Sequence, residues 1–186
     1  MSIVELLEQN PIIASVKNQE ELDLALESSS QIIFVLFGDI MSIGQISNSI
    51  NDKGKIGIIH IDLVDGFVST KEVVMNYLKQ KTKFKGIIST KPHVLKIAKT
   101  YGLLAIQRFF IFDTLSLINV KKHLVATIDA IEILPGILPK VIDNMCKDIK
   151  KPIITGGLIE NKKEVILALQ SGATCISTTN KELWNV

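Results

Sequence analysis

Polar side chains suited to holding a small anionic ligand recur at the ends of short apolar runs. They are Ser15 and Lys17, Asp39, His60 and Asp62, Ser89 and Lys91, Gln107 and Arg108, Glu132, Thr155, and Ser177 with Thr179. Residues two apart on an extended chain share a face. Ser15 with Lys17, His60 with Asp62, and Ser89 with Lys91 are therefore three same-face pairs. Charge removed from water is costly unless it is paired or used, so mixed-sign groups at this density point to a ligand pocket. The last two runs are more specific: one ends Ile154-Thr155-Gly156-Gly157 and the other Ser177-Thr178-Thr179-Asn180. A glycine pair lets a ligand approach the backbone and offers N–H donors. The hydroxyls of Ser177, Thr178 and Thr179 add donors, and the start of a short helix beyond them adds partial positive charge. These are the parts of a phosphate cradle; the plainer reading is a tight turn that needs glycine for its backbone alone.

Catalytic signals are thinner. No Ser-His-Asp or Cys-His arrangement has a recognisable local signature, and no cluster has metal-ligand spacing. His60 and Asp62 would serve as an acid–base pair, but a hydrogen-bonded core histidine is the simpler reading. Lys17 or Lys91 could form a Schiff base if desolvated; recognition of phosphate or carboxylate is the preferred role for both.

The elements that must position these groups alternate along the whole chain. Apolar, β-branched runs cover 11–16, 32–37, 56–63, 86–89, 103–109, 130–134, 152–155 and 175–178. Stretches with helical spacing fill 19–27, 42–51, 70–80, 93–101, 114–125, 138–147 and 162–171, and a last short helix is expected over 181–184. Asn18, Thr70, Asp113 and Asn161 stand at helix starts, and Gly102 and Gly172 stand where left-handed C-caps are expected. Continuous apolar strands mean a parallel sheet covered on both faces. Eight strand–helix units, with no Gly-x-Gly-x-x-Gly after the first strand, favour a closed (β/α)8 barrel over an open doubly wound sheet. Residues 1–186 are thus expected to form a single TIM-barrel domain, lean beside the usual length of about 250 residues. In such barrels chemistry gathers at the C-terminal ends of the strands, with phosphate at the loops after strands seven and eight.

Composition narrows the function classes. The 186 residues are 47% hydrophobic and 22% charged, with a formal net charge of +2, which excludes a disordered chain. The longest apolar run, 32–38, is far short of the roughly 20 residues that span a bilayer. The opening Met1-Ser2-Ile3-Val4-Glu5 carries no secretory pattern, and the distant Cys146 and Cys175 make no disulfide framework, so a cytoplasmic setting is expected. Arg108 is the only arginine among 21 basic residues, which suggests a need for a planar, bidentate donor. Its alternation with Gln107 is read as turning Gln107 inward and Arg108 toward the rim or a helix. A charge of +2 argues against indiscriminate nucleic-acid binding. Lys79, Lys81, Lys83 and Lys85 around Phe84, and Lys147, Lys150 and Lys151, are local exceptions that could meet RNA phosphates, although surface lysines at helix ends are common.

Several longer motifs carry a family resemblance. Phe34-Val35-Leu36-Phe37-Gly38-Asp39-Ile40, His60-Ile61-Asp62-Leu63-Val64-Asp65-Gly66 and Gly86-Ile87-Ile88-Ser89-Thr90-Lys91 resemble the glycerol uptake operon antiterminator regulatory proteins. So do Gln107-Arg108-Phe109-Phe110, the segment from Asp113 to Ser116, and Ala130-Ile131-Glu132-Ile133-Leu134-Pro135-Gly136 followed by Pro139-Lys140. The resemblance implies a non-enzymatic regulator, free of cofactor and metal, that senses glycerol 3-phosphate. It would then act on leader mRNA of glycerol-utilisation genes so that transcription passes a terminator. Gly156, Gly157, Ser177, Thr178 and Thr179 would hold the phosphate. Asp39, Asp62, Gln107, Arg108 and Glu132, with Lys17 or Lys91, would address the rest of the ligand. An oligomer interface or the loops after strands two to five would carry the switch. The alternative is an enzyme of the aldolase or isomerase type acting on a phosphorylated sugar or polyol. Against it, strand six carries Glu132 where class I aldolase barrels place a lysine.

Overall fold

The computed structural model describes residues 3–186; Met1 and Ser2, where the leader reading begins, lie outside the described residues. Eight parallel strands close on themselves in chain order, the eighth pairing with the first. They are β1 (Ile12–Val16), β2 (Ile32–Val35), β3 (Ile56–His60), β4 (Gly86–Ser89), β5 (Leu104–Phe110), β6 (Ala130–Leu134), β7 (Ile153–Gly156) and β8 (Cys175–Thr178). The helices are α1 (Ile3–Gln9), α2 (Gln19–Glu27), α3 (Ile43–Asp52), α4 (Glu72–Lys81), α5 (Pro92–Thr100), α6 (Thr114–His123), α7 (Pro139–Asp148) and α8 (Lys162–Gln170). Single 3-10 segments cover Ile61–Leu63 and Lys181–Asn185. The expected (β/α)8 barrel is the observed one.

Alternation along the strands divides the core into two layers. Ile13, Phe34, Ile58, Ile88, Ile106, Ile154 and Cys175 meet inside the barrel, whereas Ala14, Val35, Ile59, Ile87, Ala105 and Ile176 pack outward against the helices. Leu7 of α1 joins the inner cluster and is fully buried, so α1 closes the end of the barrel where the strands begin. That plug leaves the opposite mouth as the accessible end.

Local chemistry sets most helix starts. Asn18, Asp113 and Asn161 accept hydrogen bonds from the backbone N–H groups of Glu21, Ser116 and Glu164, which caps α2, α6 and α8. Thr70 does not cap: α4 begins at Glu72, with Lys71 at the cap position and no side-chain bond there. Gly102 and Gly172 adopt φ of +70° and +101° at the expected helix ends. At the C-terminal turn the buried Trp184 donates from its indole N–H to the Thr178 carbonyl and accepts from the Ser29 and Ser30 hydroxyls through its own carbonyl. That turn ties the end of β8 to the start of β2.

Candidate functional site

The strand register decides which polar groups meet at the open mouth. Arg108 sits beside Glu132 on β5 and β6, and Gly156 sits beside Ser177 on β7 and β8. All four share the inward face with Ile106, Ala130, Ile154 and Cys175. Arg108 Nε donates to Glu132 Oε2 at 2.6 Å, and Ser177 Oγ donates to Glu132 Oε1 at 2.6 Å. Arg108 is 8% exposed and Glu132 1%, so this is an ion pair removed from water, with both carboxylate oxygens engaged. Above it lies a cavity of about 110 Å³ lined by Ser15, Arg108, Glu132, Gly157, Ser177, Thr178 and Thr179, with Leu36, Leu134, Leu158 and Ile159 as its apolar wall.

The cavity brings together four of the five residues expected to hold phosphate. The fifth, Gly156, is not part of the lining, and it is glycine for a steric reason: a side chain there would collide with Ser177 Oγ and crowd the Glu132 carboxylate. Gly157 adopts φ of +75°, and Leu158 follows in the same left-handed region at +61°. The backbone therefore turns sharply at the rim, in a conformation that glycine takes without the strain a side chain brings. The donor set is narrower than expected. Thr178 Oγ1 already donates to the Ile159 carbonyl and accepts from the Asn180 N–H. The terminal helix is a 3-10 segment whose Glu182 N–H is capped by Asn180. Thr179, exposed at the rim, and the backbone at Gly157 remain the better anion donors.

The reading of Gln107 and Arg108 is reversed. Gln107 faces outward and is fully buried; its amide donates to the His123 carbonyl and accepts from the Val125 N–H, tying β5 to the end of α6. Arg108 is the residue at the centre. Other expected contacts also lie apart from the cavity. Lys17 is exposed, and its backbone N–H is taken by Glu21. Asp39 caps the turn into α3, where the Ser42 N–H, the Ser42 hydroxyl and then the Met41 N–H hold its carboxyl below the usual range. Asp62 and Lys91 pair with each other at 2.9 Å, and the hydroxyls of Ser69 and Ser89 also donate to Asp62. Burial opposes the Asp62 charge, but those donors outweigh it and lower its pKa. The 3-10 turn at Ile61–Leu63 breaks the strand alternation, so Asp62 does not continue the inward face of His60. Thr155 is fully buried on the outward face of β7.

His60 is the inward group whose role the sequence left open. It is 5% exposed, and its Nδ1 has no hydrogen-bond partner among the described residues. Burial first, and the Arg108 charge second, lower its pKa to about 4, so it is neutral near pH 7. Cys175, fully buried in the inner cluster, has its thiol pKa pushed far up by burial. Among the described residues no group of three or more His, Cys, Asp or Glu is placed to hold a metal ion, and no helix is long and apolar enough to cross a membrane.

Residues 12–184 match the family model of the glycerol-3-phosphate responsive antiterminators. The chain belongs to that family. This antiterminator-family protein is 42% identical to YgcP of Escherichia coli (strain K12) over 187 residues, covering 100% of this chain and 97% of YgcP. Its fold superposes with a TM-score of 0.86 on the glycerol uptake operon antiterminator regulatory protein of Listeria monocytogenes, at 32% identity, covering 93% and 94% of the two chains. An antiterminator-related protein of Thermotoga maritima gives a TM-score of 0.83 at 27% identity, covering 94% and 98%. Family membership supports a regulatory role.

One consequence for this antiterminator-family site is steric. Gly156→Ala is expected to cost about 1–3 kcal/mol through overpacking, measured as a lower urea midpoint at unchanged m. Pairing it with Ser177→Gly, which removes the hydroxyl in the way, should recover part of that loss.

Proposed function

We propose that this protein is a cytoplasmic regulator that binds glycerol 3-phosphate in the mouth cavity and, in that state, acts on leader mRNA to promote antitermination. The observation that carries the reading is the convergence of Gly157, Ser177 and Thr179 with the Arg108–Glu132 pair at one small cavity, in a chain of this family. The phosphate lies against Gly157 and Thr179, away from the Glu132 carboxylate, which would repel it. The glycerol hydroxyls turn toward Glu132, Ser15 and Ser177. Arginine carries five N–H donors, and its ion pair here runs through Nε; in the complex the terminal nitrogens take a phosphate oxygen. The bound molecule is an effector, with no cofactor or metal in the reading, and nothing in it needs to react.

A bound effector shifts a two-state protein only by its preference for one state. The ion pair gives that preference a physical basis, because a ligand that shares Arg108 with Glu132 favours the state in which the guanidinium is turned to the cavity. Calorimetric titration with glycerol 3-phosphate, glycerol and inorganic phosphate tests the site. Glycerol 3-phosphate is expected to bind more tightly than either fragment, and Arg108→Lys to weaken it about tenfold, since lysine lacks the planar fork. Equal affinity for inorganic phosphate alone, or an Arg108→Lys variant that binds like the parent, would contradict the assignment. Turnover of glycerol 3-phosphate would replace the regulator with an enzyme.

A further inference from the structure

The regulator reading leaves open which surface meets RNA, and the two lysine clusters singled out in the sequence are each incomplete for that role. Phe84, the aromatic among Lys79, Lys81, Lys83 and Lys85, is buried at 5% exposure against Gly57 of β3. Lys147 is paired with Asp143.

A different surface has the necessary parts. At the end of β5, Phe110 and Phe112 lie with parallel rings, 6.0 Å between centroids and 7° between planes, and they are 44% and 82% exposed. Large aromatic faces left in water are a cost unless something covers them. They border a groove of about 450 Å³ that also contains Pro92, Arg108, Ser116, Asn119 and His123. A second groove of about 760 Å³ adjoins it through Pro92 and His123, and Lys96, Lys99 and Lys122 line it without any carboxylate. Lys99 is bound to Asp129, while Lys96 and Lys122 make no ion pair among the described residues. Asp113, next to Phe112, has its carboxylate turned to the α6 amides.

We infer that this continuous surface across α5, the end of β5 and α6 is the RNA-contacting face, with unpaired bases stacked on Phe110 and Phe112 and phosphates following Lys96 and Lys122. The inference rests on the regulator reading above. Flat faces beside mobile cations are what single-stranded nucleic acid requires, because every base has a face to stack and every phosphate a charge to meet. A local patch also reconciles RNA binding with a net charge of only +2. Arg108 lines both this groove and the ligand cavity, so a ligand that draws its guanidinium toward the cavity changes the wall of the groove beside the platform.

The test is the affinity of a labelled leader RNA of a glycerol-utilisation transcript, with glycerol 3-phosphate present, for the parent, Phe112→Ala and Lys96→Gln/Lys122→Gln. Phe112→Ala is expected to weaken RNA binding about fivefold or more, and the lysine double variant to flatten the slope of log affinity against log salt by about 1–2. Neither should change the calorimetric affinity for glycerol 3-phosphate. If the parent binds RNA and both variants match it, this face is wrong while the regulator reading stands. If the parent binds no RNA, the regulator reading fails and the face with it. If Phe112→Ala leaves RNA affinity intact but turns a dimer into a monomer in sedimentation, the surface joins two copies of this chain instead.

Discussion

Glu132→Ala is expected to lower folding stability by about 3–5 kcal/mol, the typical cost of removing one partner of a buried ion pair. Two groups lose their acceptor together: the Arg108 guanidinium, 8% exposed, and the Ser177 hydroxyl, 4% exposed. The cost arises mainly from stranding a charge away from water and says little about the net worth of the pair. Replacing both members with apolar residues of similar size, Arg108→Met with Glu132→Leu, is accordingly expected to recover most of the stability. Urea unfolding of the three chains measures both effects. Glycerol 3-phosphate binding should vanish in the recovered double variant. A double variant as stable as the parent that still binds would show the pair to be structural only.

Acid should remove a second, separable contribution, through His60. Its folded pKa of about 4 lies below its ordinary 6.5, chiefly because burial penalises the imidazolium and secondarily because Arg108 is nearby. Between those two values the unfolded chain binds a proton that the folded chain refuses. Stability therefore rises with pH across this window. The contribution is complete above about pH 6.5 and is lost as pH falls toward 4, with a limit of roughly 3 kcal/mol at 1.36 kcal/mol per unit. Carboxylates titrate at the lower end of the same range, so the comparison with His60→Gln isolates the histidine. The stability difference between parent and variant should change steadily from pH 7 to pH 4.5. Parallel curves would mean that His60 protonates in place without penalty.

The barrel was legible because each strand is an uninterrupted apolar run and each helix has its own spacing. The same continuity hid which face of a strand is inner. Around Gln107 and Arg108 both faces of β5 are buried, so alternation showed that the two side chains diverge without showing which one enters the barrel. The parity of Ile106, which shares the inner face with Arg108, held the answer, but only once strand register was known. Asp62 departs from the sequence expectation for another reason. Its pairing with His60 assumed a strand running to residue 63, whereas β3 stops at His60 and a 3-10 turn follows. α1 is not legible in the sequence although Ile3 and Leu7 stand four apart, because a seven-residue segment lacks the length that makes periodicity convincing. The glycine and hydroxyl ends of β7 and β8 were the most readable part of the site, since their positions follow from the barrel itself. Phe110 enters the sequence reading only within a family motif and Phe112 not at all, because aromatic residues at a strand end read as core until their exposure is seen.

The most direct measurement is an equilibrium titration of leader RNA from a glycerol-utilisation transcript against this protein, with and without saturating glycerol 3-phosphate, at one fixed salt concentration. RNA affinity is expected to rise at least about fivefold with the ligand, a coupling of about 1 kcal/mol at the lower end of ordinary allosteric effects, and to show no rise with Arg108→Met/Glu132→Leu. RNA affinity that is the same in both conditions for the parent protein would contradict a glycerol 3-phosphate-responsive regulator.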